Sequence, residues 1–68
     1  MITVYHVFTD YKDLWTENYD FALAMYRLWR RRNSCARLYR ETYENEEAML
    51  NDEMLDEDCL FSHGAYPL

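Results

Sequence analysis

The spacing of apolar side chains changes three times along this chain, and each change predicts an element. Ile2-Thr3-Val4-Tyr5-His6-Val7-Phe8 is dense in β-branched and aromatic residues and lacks a helical cap, so it predicts a strand. Ile2, Val4, His6 and Phe8 share one face, and Thr3, Tyr5 and Val7 the other, which is too apolar to be freely solvated. From Asn18 to Asn33 the period lengthens. Phe21, Met25, Leu28 and Trp29 recur at spacings of four, three and one, which a helix stacks into one stripe. Asn18 stands at the N-cap, Asp20 near the positive end of the helix dipole, and Arg30, Arg31 and Arg32 near the negative end. Asn33 is placed to close the helix in a left-handed conformation. From Cys35 to Tyr43 alternation returns, with Ala36 and Leu38 on one face and Cys35, Tyr39 and Tyr43 on the other.

A fourteen-residue helix would be roughly 21 Å long, close to the ~22 Å reach of a strand of six or seven residues. Strand, helix and strand of matched length predict a β-α-β unit with parallel strands and a right-handed crossover. The face away from the helix would then show Tyr5, Val7, Cys35 and Tyr39, and would need a cover. Thr9 to Glu17 has no clean period and reads as a connection, with Leu14 and Trp15 tucked under the helix and Trp15 as a core plug.

Glu44 to Phe61 favours helix by propensity, and Asn45 can cap it. Its period disagrees, because Ala48, Leu55 and Cys59 fall on one side of such a helix while Leu50, Met54 and Phe61 fall nearly opposite. Three arrangements follow: a helix sandwiched between the domain and a second molecule, a short helix broken near Asn51-Asp52, or a hairpin turning there with Met54 to Phe61 as a third strand. The broken helix is preferred. Ser62 to Leu68 holds the sole glycine and proline and reads as a tail. The expected fold is thus one small α/β or α+β domain: a β-α-β scaffold over 1–43, an acidic C-terminal helix or hairpin over 44–61, and a tail over 62–68.

Composition narrows the picture. With twelve aromatics, one glycine and one proline, the 68-residue chain has the apolar payload to fold despite its size. No basic n-region with an apolar h-region opens it, and no run approaches the ~20 apolar residues of a membrane span, so a cytoplasmic address is expected. In that setting Cys35 and Cys59 are expected as free, buried thiols.

Charge is polarised. Residues 1–40 carry all seven bases and four acids, net +3, whereas residues 41–68 carry nine acids and no base, net −9. The arginines at 30–32 with Arg37, Arg40 and Tyr39 are the nearest approach to an RNA or single-stranded DNA patch. A chain of net charge −6 repels such polymers, so these arginines are expected to complement the helix end and to pair with the protein's own acidic tail.

Candidate chemistry is sparse. His6, His63, Cys35 and Cys59 offer one half-site, Cys59 and His63 four apart, which falls short of a metal site. His6 is expected to satisfy its nitrogens locally. Neither serine has a supporting base, one glycine cannot build a phosphate-cradling loop, and the carboxylates crowd into one run. No enzyme, cofactor or metal is expected.

That run puts nine carboxylates into the eighteen residues 41–58. If helical, it carries about one charge per ~3 Å, half the density of duplex DNA at ~1.7 Å, enough to imitate part of a phosphate track. The interleaved Met49, Leu50, Met54, Leu55 and Phe61 point to a binding surface rather than mere solvation. The expected partner-binding set is Glu46, Glu47, Asp52, Glu53, Asp56, Glu57 and Asp58 with Tyr39, Tyr43 and Phe61. The partner is another protein with a basic surface, such as one that binds nucleic acid. A homodimer burying Tyr5, Tyr39 and Tyr43 is the alternative, and nucleic-acid binding through Arg30–Arg32 a further one. In type alone, the chain looks like the small proteins that bacteriophages make to bind and disable host machinery, which would place it in a host cytoplasm.

Overall fold

The chain reverses direction between Phe8 and Asp13, and the topology follows from that turn. The computed structural model describes residues 1–64, in the order β1 (Ile2–Phe8), β2 (Asp13–Thr16), α1 (Tyr19–Arg32), β3 (Ala36–Tyr43), α2 (Glu46–Leu50) and β4 (Met54–His63). The Thr9 hydroxyl makes the turn. It accepts from the backbone N–H groups of Tyr11 at 3.2 Å and Lys12 at 3.3 Å, while the Thr9 N–H donates to the Lys12 carbonyl at 2.8 Å.

Because β2 runs back along β1, α1 starts at the opposite end of the sheet from where a direct crossover would begin. The helix climbs and β3 descends. β1 and β3 are therefore antiparallel, the sheet order is β2-β1-β3-β4, and every neighbouring pair is antiparallel. The parallel β-α-β unit expected from the pattern does not form, and the domain is α+β. Strand direction also decides which face meets the helix. The register pairs Val7 with Leu38 and His6 with Tyr39, so Tyr5 and Val7 join Ala36 and Leu38 under α1, and His6 joins Tyr39 on the other side. That inverts the β1 half of the expected opposite face, Tyr5 and Val7, while Tyr39 lies away from the helix as expected.

The core holds Val7, Ala22, Tyr26, Trp29, Ala36 and Leu38, with Tyr5, Leu14, Leu23, Met25 and Leu60 packed around it. The helix is turned about 100°, one residue, from the predicted stripe. Phe21 and Leu28 remain 47% and 39% exposed, while Ala22, Tyr26 and Trp29 are buried at the same four-and-three spacing. Ala22, the smallest of the set, lets the helix approach the sheet closely. The N-cap is as expected, since the Phe21 N–H donates to the Asn18 side-chain oxygen at 3.0 Å. Asn33 is extended rather than left-handed, and closes the helix by donating from both its backbone N–H and its Nδ2 to the Trp29 carbonyl at 2.9 Å.

The C-terminal segment combines two of the three arrangements weighed above. A short helix, α2, capped by the Asn45 side chain, which accepts from the Ala48 N–H at 2.8 Å, breaks at Asn51-Asp52. Asp52 takes a positive φ of 60°, and the chain then enters β4. β4 is an edge strand with two irregularities, opposite Leu38/Tyr39 and Thr42/Tyr43. The first leaves Leu60 without a partner across the ladder, which lets both Leu60 and Phe61 reach the helix side, Phe61 against the Tyr26 ring at 5.6 Å. Ser62 and His63 belong to β4 rather than to a tail, and the rest of the expected tail from residue 65 lies outside the described residues. At Gly64, with φ of +80°, a side chain would collide with the Ser34 carbonyl, so glycine is required there. Cys35 is buried and Cys59 exposed, and neither is in a disulfide, which corrects the expectation of two buried thiols.

Candidate functional site

Among the described residues, the second face of the sheet is only partly covered. α2 lies across one end of it through Ala48 and Met49, held by the Glu53 N–H donating to the Ala48 carbonyl at 2.8 Å. Between α2 and the first two strands runs a groove of about 540 Å³, with Ile2, Val4 and Met49 as apolar lining, Trp15 as a wall, and Glu17 and Glu46 exposed beside them. A smaller recess of about 200 Å³ continues past Trp15 and Met49 to Tyr43 and Asp52. Trp15 is therefore not a core plug. It is 53% exposed, because β2 alternates and sends Leu14 to the helix side instead.

Behind Trp15 lies a buried polar chain. The Trp15 ring stacks on His6 at 4.2 Å and 9°, and His6 stacks on Phe8 at 4.7 Å. His6 Nδ1 sits 3.3 Å from Glu41 Oε2, and the Tyr43 hydroxyl donates to Glu41 Oε1 at 2.9 Å. His6 Nε2 is buried without a hydrogen-bond partner, with Asp13 Oδ2 3.9 Å away. Glu41 is only 3% exposed, so its carboxylate depends on these two neighbours. Burial pushes the Tyr43 hydroxyl up to about 12, and the hydrogen bond and charge of Glu41 push the same way, so it stays protonated as a donor. His6 sits in mid-strand on a carboxylate rather than at a strand end.

The acidic run is spread over three places. Glu46 and Asp52 reach the groove and its recess, whereas Glu47 and Glu53 lie exposed on α2 and the following turn. On β4 the residues alternate: Asp56 and Asp58 pair across with Thr42 and Arg40, and Glu57 lies directly opposite Glu41 on the other face. A strand cannot give the single helical track that the charge density suggested. Of the aromatic members, Tyr43 is buried, Tyr39 packs edge-on to Phe8 at 5.4 Å, and Phe61 is on the helix side.

Among the described residues the only ion pair between a basic side chain and the acidic run, apart from His6 with Glu41, is Arg40 to Asp58 at 2.7 Å. That hydrogen bond and the Asp58 charge hold Arg40 still more firmly protonated. Arg30, Arg31 and Arg32 complement the helix end and, among the described residues, form no ion pair with the acidic run, contrary to expectation.

Sequence reasoning missed Trp15, Glu17, Met49 and the His6–Glu41 contact as parts of one site. The signal was present in the Thr9 hydroxyl two residues before Tyr11, which makes a hairpin and sets Trp15 opposite His6. Fold and site together define a small α+β domain with an acid-lined apolar groove on its half-open face. No family model matches the chain, and no curated protein or solved structure matches it. No helix among the described residues is long and apolar enough to cross a membrane.

Proposed function

We propose that this is a non-enzymatic binding protein that modulates or inhibits another protein by taking a basic segment of it into the groove beside Trp15. The observation that supports this most is the composition of the groove: apolar lining, an exposed indole wall, and Glu17, Glu46 and nearby Asp52 without basic partners among the described residues. A lysine or arginine has a matching form, an aliphatic stem that packs on Val4 and Met49 and a cationic head for indole and carboxylates. The acids of β4 would steer such a partner, and the net charge of −6 gives the approach its sign. Occupying a basic surface that the partner uses for nucleic acid is one way to disable it, in keeping with a phage-type inhibitor.

Trp15 supplies its own reporter, since Trp29 is buried. Titration with an arginine- and lysine-rich peptide should shift Trp15 emission, with affinity falling about tenfold in Glu17→Lys/Glu46→Lys and steeply with salt. Capture from the native cell by the wild-type protein but not by this variant would identify the partner. Equal capture by both, or peptide affinity indifferent to salt, would sink the proposal.

A further inference from the structure

On the other side of the sheet, α1 and β4 form a separate cleft of about 370 Å³ lined by Leu23, Tyr26, Arg27, Arg30, Arg31 and Phe61. The three arginines stand at i, i+3 and i+4, which brings their guanidinium groups together on one helix face. Like charges at this spacing repel, and a carboxylate partner would normally be supplied. This chain has thirteen acids, yet none of the three guanidiniums forms an ion pair among the described residues. Arg32, the third member of the expected nucleic-acid cluster, does not line the cleft, whereas Arg27, outside that cluster, does.

We infer that this cleft binds a small phosphate ester carrying a planar ring, of the size of a mononucleotide. Guanidinium forks match phosphate oxygens in pairs, and three of them can satisfy one or two phosphate groups. Phe61, 41% exposed beside Tyr26, supplies an aromatic surface on which a base can stack. The volume is at the small end of ligand sites and suits one nucleotide rather than a polymer. Net charge points the same way, because an acidic protein repels a long polyanion along its whole length, while a short anion feels mainly the guanidiniums within a Debye length. This site shares no residue with the groove beside Trp15 and stands or falls independently of it.

Calorimetric titration of the full chain with AMP, ADP, adenosine and inorganic phosphate at roughly 150 mM ionic strength tests the assignment. The nucleotides should bind about tenfold or more tightly than either adenosine or phosphate, and Arg31→Gln or Arg27→Gln should each weaken ADP by about tenfold. Phe61→Ala should reduce ADP to the affinity of inorganic phosphate. Circular dichroism checks that the exposed arginine variants keep the fold. Absence of nucleotide binding to the wild-type protein, or ADP binding indifferent to Arg27→Gln and Arg31→Gln, overturns the inference. So does inorganic phosphate binding as well as ADP, or an RNA oligomer binding more tightly per nucleotide than AMP.

Discussion

The two faces of the sheet are covered by helices of fourteen and five residues, and the difference in length leaves one face closed and the other partly open. Under α1 everything is apolar and interlocked: Val7, Ala22, Ala36 and Leu38 have no measurable exposure. Under α2 only Ala48 is buried from the helix, and the uncovered remainder carries an imidazole, a buried carboxylate, a phenol and a half-exposed indole in mutual contact. A small domain can close one face with a long helix and leave the other less interlocked, where Glu41 is held by His6 and Tyr43 while His6 Nε2 finds no hydrogen-bond partner among the described residues.

The closed face should respond most strongly to mutation. Leu38→Ala should cost about 2–5 kcal/mol by denaturant titration, a large part of the stability of a domain this small. A loss below about 1 kcal/mol would mean that α1 is not the main closure.

The open face should respond to pH instead. Tyr43 is held at about 12 in the fold against 10.0 for the free side chain, so its contribution is complete below pH 10 and is lost as pH rises towards 12. Stability should fall across that window by on the order of 1–2 kcal/mol, and Tyr43→Phe should remove this part of the decline. An identical decline in the variant would show that Tyr43 is not the titrating group.

The smallest effect has the opposite sign. Glu57 faces the buried Glu41 directly across the ladder, so Glu57→Gln should stabilise the domain by about 0.2–1 kcal/mol, read as a higher denaturant midpoint. An unchanged or lower midpoint would mean that Glu57 does not repel Glu41 across the ladder.

How much could be read from the chain depended on whether the signal was local. The side-chain oxygens of Asn18 and Asn45 cap their helices, and β1 and β3 were legible from alternation, because caps and pleats depend on neighbours within a few residues. β2 was not. It is four residues long and its turn uses a threonine hydroxyl in place of the glycine or asparagine that marks most tight hairpins. Missing it reversed β3, and reversing β3 put Val7 and His6 on the wrong faces. The helix stripe was legible in part: Trp29 is buried and Met25 packs on the core, but 21-25-28 and 22-26-29 are equally periodic, and only the sheet decides that Ala22 and Tyr26 are buried in place of Phe21 and Leu28. In the site, Tyr43, Glu46 and Asp52 come together as parts of one groove system, while Asp56, Glu57 and Asp58 are dealt to alternate sides of a strand that helix propensity had concealed.

The surplus residues in β4 have an outcome beyond the core. A ten-residue strand at the margin of the sheet is in general a template on which further chains could add and polymerise. Here that margin is bent at two points and carries three consecutive carboxylates between them, so an incoming strand meets both a kink and a charge barrier. That margin is therefore a poor template for adding further copies of the chain.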